Sequence, residues 1–161
     1  MAVLNESDTR NLREAFQVAT RSREEGNLPF GCVITDERGR VVIAQGNLAL
    51  LPVRDPTAHA ETVAAGKAAR RYEPRVLANF TLYSSAEPCA MCAGAIYWAG
   101  IGRVVFGLTE HELRGLTGNH PDNPTMSLAC REVFASGQRS IEVIGPVLVD
   151  EALKVFDAYW G

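Results

Sequence analysis

The chain has 161 residues, 47% of them hydrophobic and 22% charged, with a formal net charge of −3 at pH 7. This size and balance fit a single globular domain over 1–161 and exclude a low-complexity or repeat architecture. The cationic side chains are almost all arginine, with Lys67 and Lys154 the only lysines, and their one local cluster is Arg70, Arg71 and Arg75, where a nucleic-acid binder usually shows a basic stripe; no apolar run approaches the roughly 18 residues of a membrane helix.

Leu12, Ala15, Phe16 and Ala19 repeat at helical spacing between Ser7-Asp8 and Gly26, which predicts an amphipathic helix from Asp8 to Glu25. This charged start has no apolar secretion core, and the four cysteines do not form a disulfide framework, so the expected compartment is the cytoplasm. Apolar runs at Phe30–Thr35 and Val41–Gln45 flank Asp36-Glu37-Arg38-Gly39, a hairpin signal. Leu48 to Asp55 reads as a loop. A helix from Thr57 to Arg71 follows, with Asp55 and Thr57 as candidate N-caps and Ala64, Ala65, Ala68 and Ala69 as good helix formers. Arg70, Arg71 and Arg75 fall at its expected end, where the helix dipole accounts for them; an RNA-contacting patch is the alternative.

Phe80–Ser84 reads as a strand, Ala90–Ala99 as a helix stopped by Gly100, and Val104–Phe106 as a further strand. Leu108 to Pro124, rich in Gly, Thr, Asn and Pro, reads as a long irregular loop, and such loops are usually lids or binding loops. A helix over Leu128–Ala135, a strand over Ile141–Ile144 and a helix over Glu151–Trp160, capped by Asp150, complete the chain. Strands alternating with helices after an initial hairpin predict an α/β fold, with helices on both faces of a mixed sheet.

Two segments carry chemistry. His59-Ala60-Glu61 and Pro88-Cys89-Ala90-Met91-Cys92 together supply three zinc-type ligands and one further carboxylate. Catalytic zinc takes three protein ligands and keeps a fourth position for water, whose pKa it lowers; a closed structural site takes four. Cys89 and Cys92 are three apart, on one face of a helix's first turn, and Pro88 suits a helix start. His59 and Glu61 point roughly 200° apart on an ideal helix, so they serve one site only from a helix's extreme N-terminus. Cys32 and Cys130 lie in apolar stretches and read as core packing.

These motifs resemble the zinc-dependent deaminase superfamily, whose signature they reproduce. The likeness runs from Pro29-Phe30-Gly31 through Asn47 and Asp55-Pro56-Thr57 to Ala93-Gly94-Ala95-Ile96. It implies a three-layer α/β/α sandwich around a five-stranded sheet, Zn²⁺ on His59, Cys89 and Cys92, and Glu61 as the catalytic proton carrier. Glu87 and Met91 resemble the purine-handling branch, and Tyr97-Trp98, Glu110-His111 and Tyr159-Trp160 resemble bacterial guanine deaminases. The expected substrate is therefore a free base, guanine or a related amino-purine, amino-triazine or isocytosine. A tRNA-adenosine deaminase, a nucleoside deaminase and a non-catalytic zinc module are the competing readings.

The resemblance places Asn47, Ala60, Phe30, Glu87, Asp122, Tyr159 and Trp160 around the substrate. Asn47 is equally suited to a turn, Phe30 to the core, and Tyr159 and Trp160 to sealing the last helix. Asp122, Glu110 and His120 are alternatives for the family's second acid. A homodimer, with the C-terminus acting in cis or exchanged, is also implied.

Overall fold

A computed structural model describes residues 3–160. Helix α1 (Glu6–Glu24) starts two residues before its expected position because Asn5 caps it: Asn5 Oδ1 accepts from the Asp8 amide at 2.8 Å and the Asp8 carboxylate accepts from the Asn5 amide at 3.1 Å. The hairpin β1 (Gly31–Thr35) and β2 (Val41–Gly46) follows, then α2 (Ala60–Arg71), α3 (Pro74–Leu77), β3 (Thr81–Ala86), α4 (Ala90–Ala99) and β4 (Arg103–Leu108). The chain ends with α5 (Glu110–Thr117), α6 (Cys130–Ala135), β5 (Glu142–Ile144) and α7 (Val149–Lys154). The sheet order is β2-β1-β3-β4-β5, with β1 antiparallel to both neighbours and β3, β4 and β5 mutually parallel. The fold is thus the mixed five-stranded α/β sheet that the alternation predicted.

Strand pleating explains the layers. Cys32, Ile34, Leu82, Val104 and Phe106 face the helices α2, α4 and α6, whereas Val33, Tyr83 and Val105 face α1 and α7. Strands covered on both faces read as continuous apolar runs, which is why β1 and β4 were legible as strands. Burying each such Val, Leu, Ile or Phe side chain contributes about 1.5–3 kcal/mol. Cys32 and Cys130 are wholly buried in the first layer, as core packing requires. A Cβ at Gly31 would run into the Val18-Ala19 backbone, so only glycine lets α1 lie this close to β1.

Asp8 locks α1 to the sheet. Its carboxylate, 1% exposed, accepts two bonds from the Arg103 guanidinium at 2.7 and 2.9 Å and one from the Tyr83 hydroxyl at 2.7 Å. Burial works to raise its pKa, but the bonds from Arg103, the Asn5 amide and Tyr83 prevail and hold it below the usual carboxylate range.

Three expectations need correction. The stretch read as a loop from Leu108 contains α5, whose Thr109 and Glu112 form a capping box, so the irregular segment is 118–129. The last helix begins after Leu148, with Asp150 inside it, and ends at Lys154; Ala158 adopts φ +56°, a left-handed conformation that no helix reaching Trp160 would allow. The short α3, opened by Pro74, was not anticipated. No helix among the described residues is long and apolar enough to cross a membrane.

Candidate metal centre and its pocket

Both metal-motif helices begin at a ligand. His59 is the N-cap of α2 and Cys89 the N-cap of α4, each with extended backbone and a side chain that does not cap its own helix. Asp55 and Thr57, expected as caps, instead close the preceding turn, where Asp55 Oδ1 accepts from the Thr57 amide and hydroxyl. The imidazole and the thiol are consequently free to converge. His59 Nδ1 lies 3.6 Å from Cys89 Sγ and 3.5 Å from Cys92 Sγ, and the two sulfurs are 3.5 Å apart.

These separations can be compared with zinc geometry. Bonds of about 2.3 Å to sulfur and 2.0–2.1 Å to nitrogen at a tetrahedral angle put ligands about 3.8 Å (S–S) and 3.6 Å (N–S) apart. The triad fits, and its His-Cys-Cys set leaves a fourth position open. Among the described residues, His59, Cys89 and Cys92 are the one cluster with metal-binding spacing.

The electrostatics suit ligation. The hydrogen bond between the two sulfurs, with help from His59, pushes the Cys89 thiol down to about 4 even though burial opposes it. Cys92 is pushed up in turn by the Cys89 bond and by burial. The two sulfurs thus compete for one proton, a competition that a bound cation and the helix N-termini relieve. His59 is raised, first by its bond to Cys89. Glu61, one residue into α2, is buried beside the triad, and burial pushes it up to about 6 against the opposing influence of His59.

His59 and Cys89 form one wall of a cavity of about 250 Å³ that also exposes Glu61 and Asn47; Cys92 is fully buried and does not line it. Leu28, Phe30, Ala49, Leu113 and Met126 supply apolar lining. Asn47 Oδ1 accepts from the Ala49 amide at 2.8 Å, so its Nδ2 is the atom left to donate to a ligand. Phe30 is part of the wall, and Asp122 stands exposed on the rim.

Other expected contacts fall elsewhere. Ala60 is fully buried among the core residues, because the position between His59 and Glu61 turns toward the sheet. Glu87 borders the cavity, but its two carboxylate oxygens accept from the Glu110 amide at 2.9 Å and the Cys130 amide at 2.8 Å, so it anchors α5 and α6. Tyr159 and Trp160 do not line the cavity. Trp160 packs on Phe30 and Phe156, with ring centroids 6.3 and 6.4 Å away, and Tyr159 packs on Trp160, so the tail braces the wall from behind. His120 meets the Trp160 ring at 5.1 Å and accepts from the Asp122 amide, which makes it a brace as well. Glu110 lines the cavity together with Leu113, both delivered by α5. The T-x-x-E capping signal at Thr109–Glu112 was the clue in the sequence to that wall.

The cytidine and deoxycytidylate deaminase zinc-binding region, as a family model, matches residues 5–108. A probable cytosine deaminase of Schizosaccharomyces pombe is 42% identical over 157 residues, covering 98% of this chain and 94% of its own. A tRNA-specific adenosine deaminase of Haemophilus influenzae is 37% identical over 110 residues, 68% of this chain and 63% of its own. The crystal structure of guanine deaminase from Bacillus subtilis superposes with a TM-score of 0.58 at 29% identity, covering 96% of this chain and 93% of that one. A family model over most of the chain and a relative aligned nearly end to end agree with the His-Cys-Cys triad: the chain belongs to the zinc-binding cytidine and deoxycytidylate deaminase family.

Proposed function

We propose that the protein hydrolytically deaminates a free nucleobase. The observation that supports this reading most directly is the buried Glu61 beside the His59-Cys89-Cys92 triad in a small, largely apolar cavity. At about 250 Å³ the cavity falls below the 300–1,000 Å³ typical of drug-sized ligands, which suits a bare ring better than a nucleoside. A structural zinc site has no use for an unliganded buried carboxylate.

When held by His59, Cys89 and Cys92, zinc supplies Lewis-acid activation of one water. Glu61 then accepts that water's proton and delivers it to the ring nitrogen beside the amine-bearing carbon, which becomes electrophilic. Water oxygen adds to that carbon. Glu61 takes the remaining proton from the added hydroxyl and carries it to the amino group, the C–N bond breaks, ammonia leaves and the oxygen remains as a carbonyl. Asn47 Nδ2 donates to a ring acceptor, and Phe30 packs on the ring face.

Guanine is the expected substrate, on the flanking residues shared with guanine deaminases. Cytosine is the second reading, favoured by the nearly full-length likeness to a probable cytosine deaminase. Action in the cytoplasm as a homodimer belongs to the same proposal. Ammonia release by zinc-loaded protein from guanine, cytosine, isocytosine, their nucleosides and a tRNA anticodon stem-loop tests it. Turnover of a free base with inert nucleosides and RNA supports the reading; turnover confined to the stem-loop overturns it in favour of a tRNA-adenosine deaminase.

A further inference from the structure

Glu110 lines the cavity and takes no part in the proton transfers assigned to Glu61. It is the first residue of α5, two positions beyond β4. Parallel pairing of Ala86 with Leu108 sets it beside the Glu87-Pro88-Cys89 turn, and the bond from its amide to Glu87 fixes its backbone there. The residue is 5% exposed, yet neither of its carboxyl oxygens has a hydrogen-bond partner among the described residues. A buried carboxyl group without a partner is costly, and one facing a cavity gains its partner from what the cavity binds.

A helix N-terminus ordinarily favours the carboxylate form. Here burial opposes that preference and pushes Glu110 up. A neutral carboxyl group offers one donor and one acceptor side by side. That is the complement of a lactam edge, in which a ring N–H stands next to a C=O. Guanine and cytosine both carry such an edge.

We propose that Glu110 is a specificity-determining residue that pairs its carboxyl group with the lactam edge of the bound base. The proposal rests on the free-base reading and adds the chemical feature by which the base is chosen. Asn47 Nδ2 donates elsewhere on the same ring, so the two side chains fix the orientation that presents the amine-bearing carbon to Glu61.

The test compares zinc-loaded wild type, E110L, E110A and E110Q on matched pairs: guanine with 2-aminopurine, and cytosine with 4-aminopyrimidine, which lack the carbonyl. Both kcat/KM for ammonia release and Kd by calorimetry are measured. Wild type prefers the lactam member of the pair it uses by on the order of 10- to 100-fold. E110L and E110A lose that preference, mainly through KM and Kd, and E110Q, whose carboxamide keeps a donor beside an acceptor, restores it. Zinc content and thermal melting identify a variant that has lost its fold, and two truncations guard against reliance on one. Turnover with an unchanged preference in E110L or E110A overturns the role of Glu110 alone. Wild type that neither binds nor deaminates any free base overturns the free-base reading, and this proposal with it.

Discussion

Replacing Glu87 by alanine removes the acceptor for two buried amides, those of Glu110 and Cys130, at 2.9 and 2.8 Å. Each belongs to the first residue of a helix, and α6 has no side-chain cap of its own, so Glu87 acts as a remote cap for both α5 and α6. Charge-assisted hydrogen bonds of this kind contribute about 1.5–3 kcal/mol each, and orphaned amides keep their desolvation cost. The sum is about 3–6 kcal/mol, reduced to about 3–5 kcal/mol because the alanine variant no longer buries a carboxylate. For a domain of this size that lowers Tm by roughly 6–20 °C. Urea unfolding at fixed zinc concentration measures the free energy, and amide hydrogen exchange locates the loss at the starts of α5 and α6. Glu87→Gln, which keeps one carbonyl oxygen, falls between the two. An alanine variant within about 0.5 kcal/mol of wild type, with protected Glu110 and Cys130 amides, would refute the capping argument.

Replacing His59 or Cys89 by alanine leaves two ligands, and the purified protein is expected to carry well under one zinc per chain by atomic absorption. Glu61→Ala keeps its zinc but loses turnover by on the order of 10²- to 10⁴-fold; substantial residual activity would remove Glu61 from its role as proton carrier. Asp8→Asn breaks a buried ion pair with Arg103 and costs about 3 kcal/mol at pH 7. Because the folded state holds Asp8 below its unfolded value, this stabilisation is complete above the unfolded pKa, about 3.9, and disappears as pH falls through the lower folded value. Wild-type and Asp8→Asn melting curves therefore converge in acid, and a constant gap from pH 7 to pH 2 would contradict the assignment.

The division between what the sequence disclosed and what it concealed follows from how far each residue acts. His59 and Cys89 each open a helix, so local punctuation, Pro88 before one and an alanine-rich run after the other, was enough to place them at helix ends. Strands β1 and β4, buried on both faces, announced themselves through their apolar runs. Least was legible where a role depends on partners distant in the chain. Glu87 was placed at the substrate by its resemblance to the purine-handling branch, but the partners of its two carboxylate oxygens lie 23 and 43 residues away. Tyr159 and Trp160 looked like a pocket closure, yet Ala158 turns the tail so that Trp160 supports Phe30 from outside.

The same contrast explains why the chemistry was more legible than the specificity. Zinc binding needs three atoms about 3.5 Å apart, which two short motifs at helix starts can guarantee. The rest of the cavity is lined by side chains gathered from β2's end, the α5 start and the loop after it, and none of these carries a fixed spacing to the metal motifs. In open α/β sheets the parallel strand ends converge on one crevice, so Glu110, just beyond β4, lines the same cavity as Glu87, just beyond β3. That topology, more than any motif, brings Glu110 to the cavity that His59 and Cys89 also line.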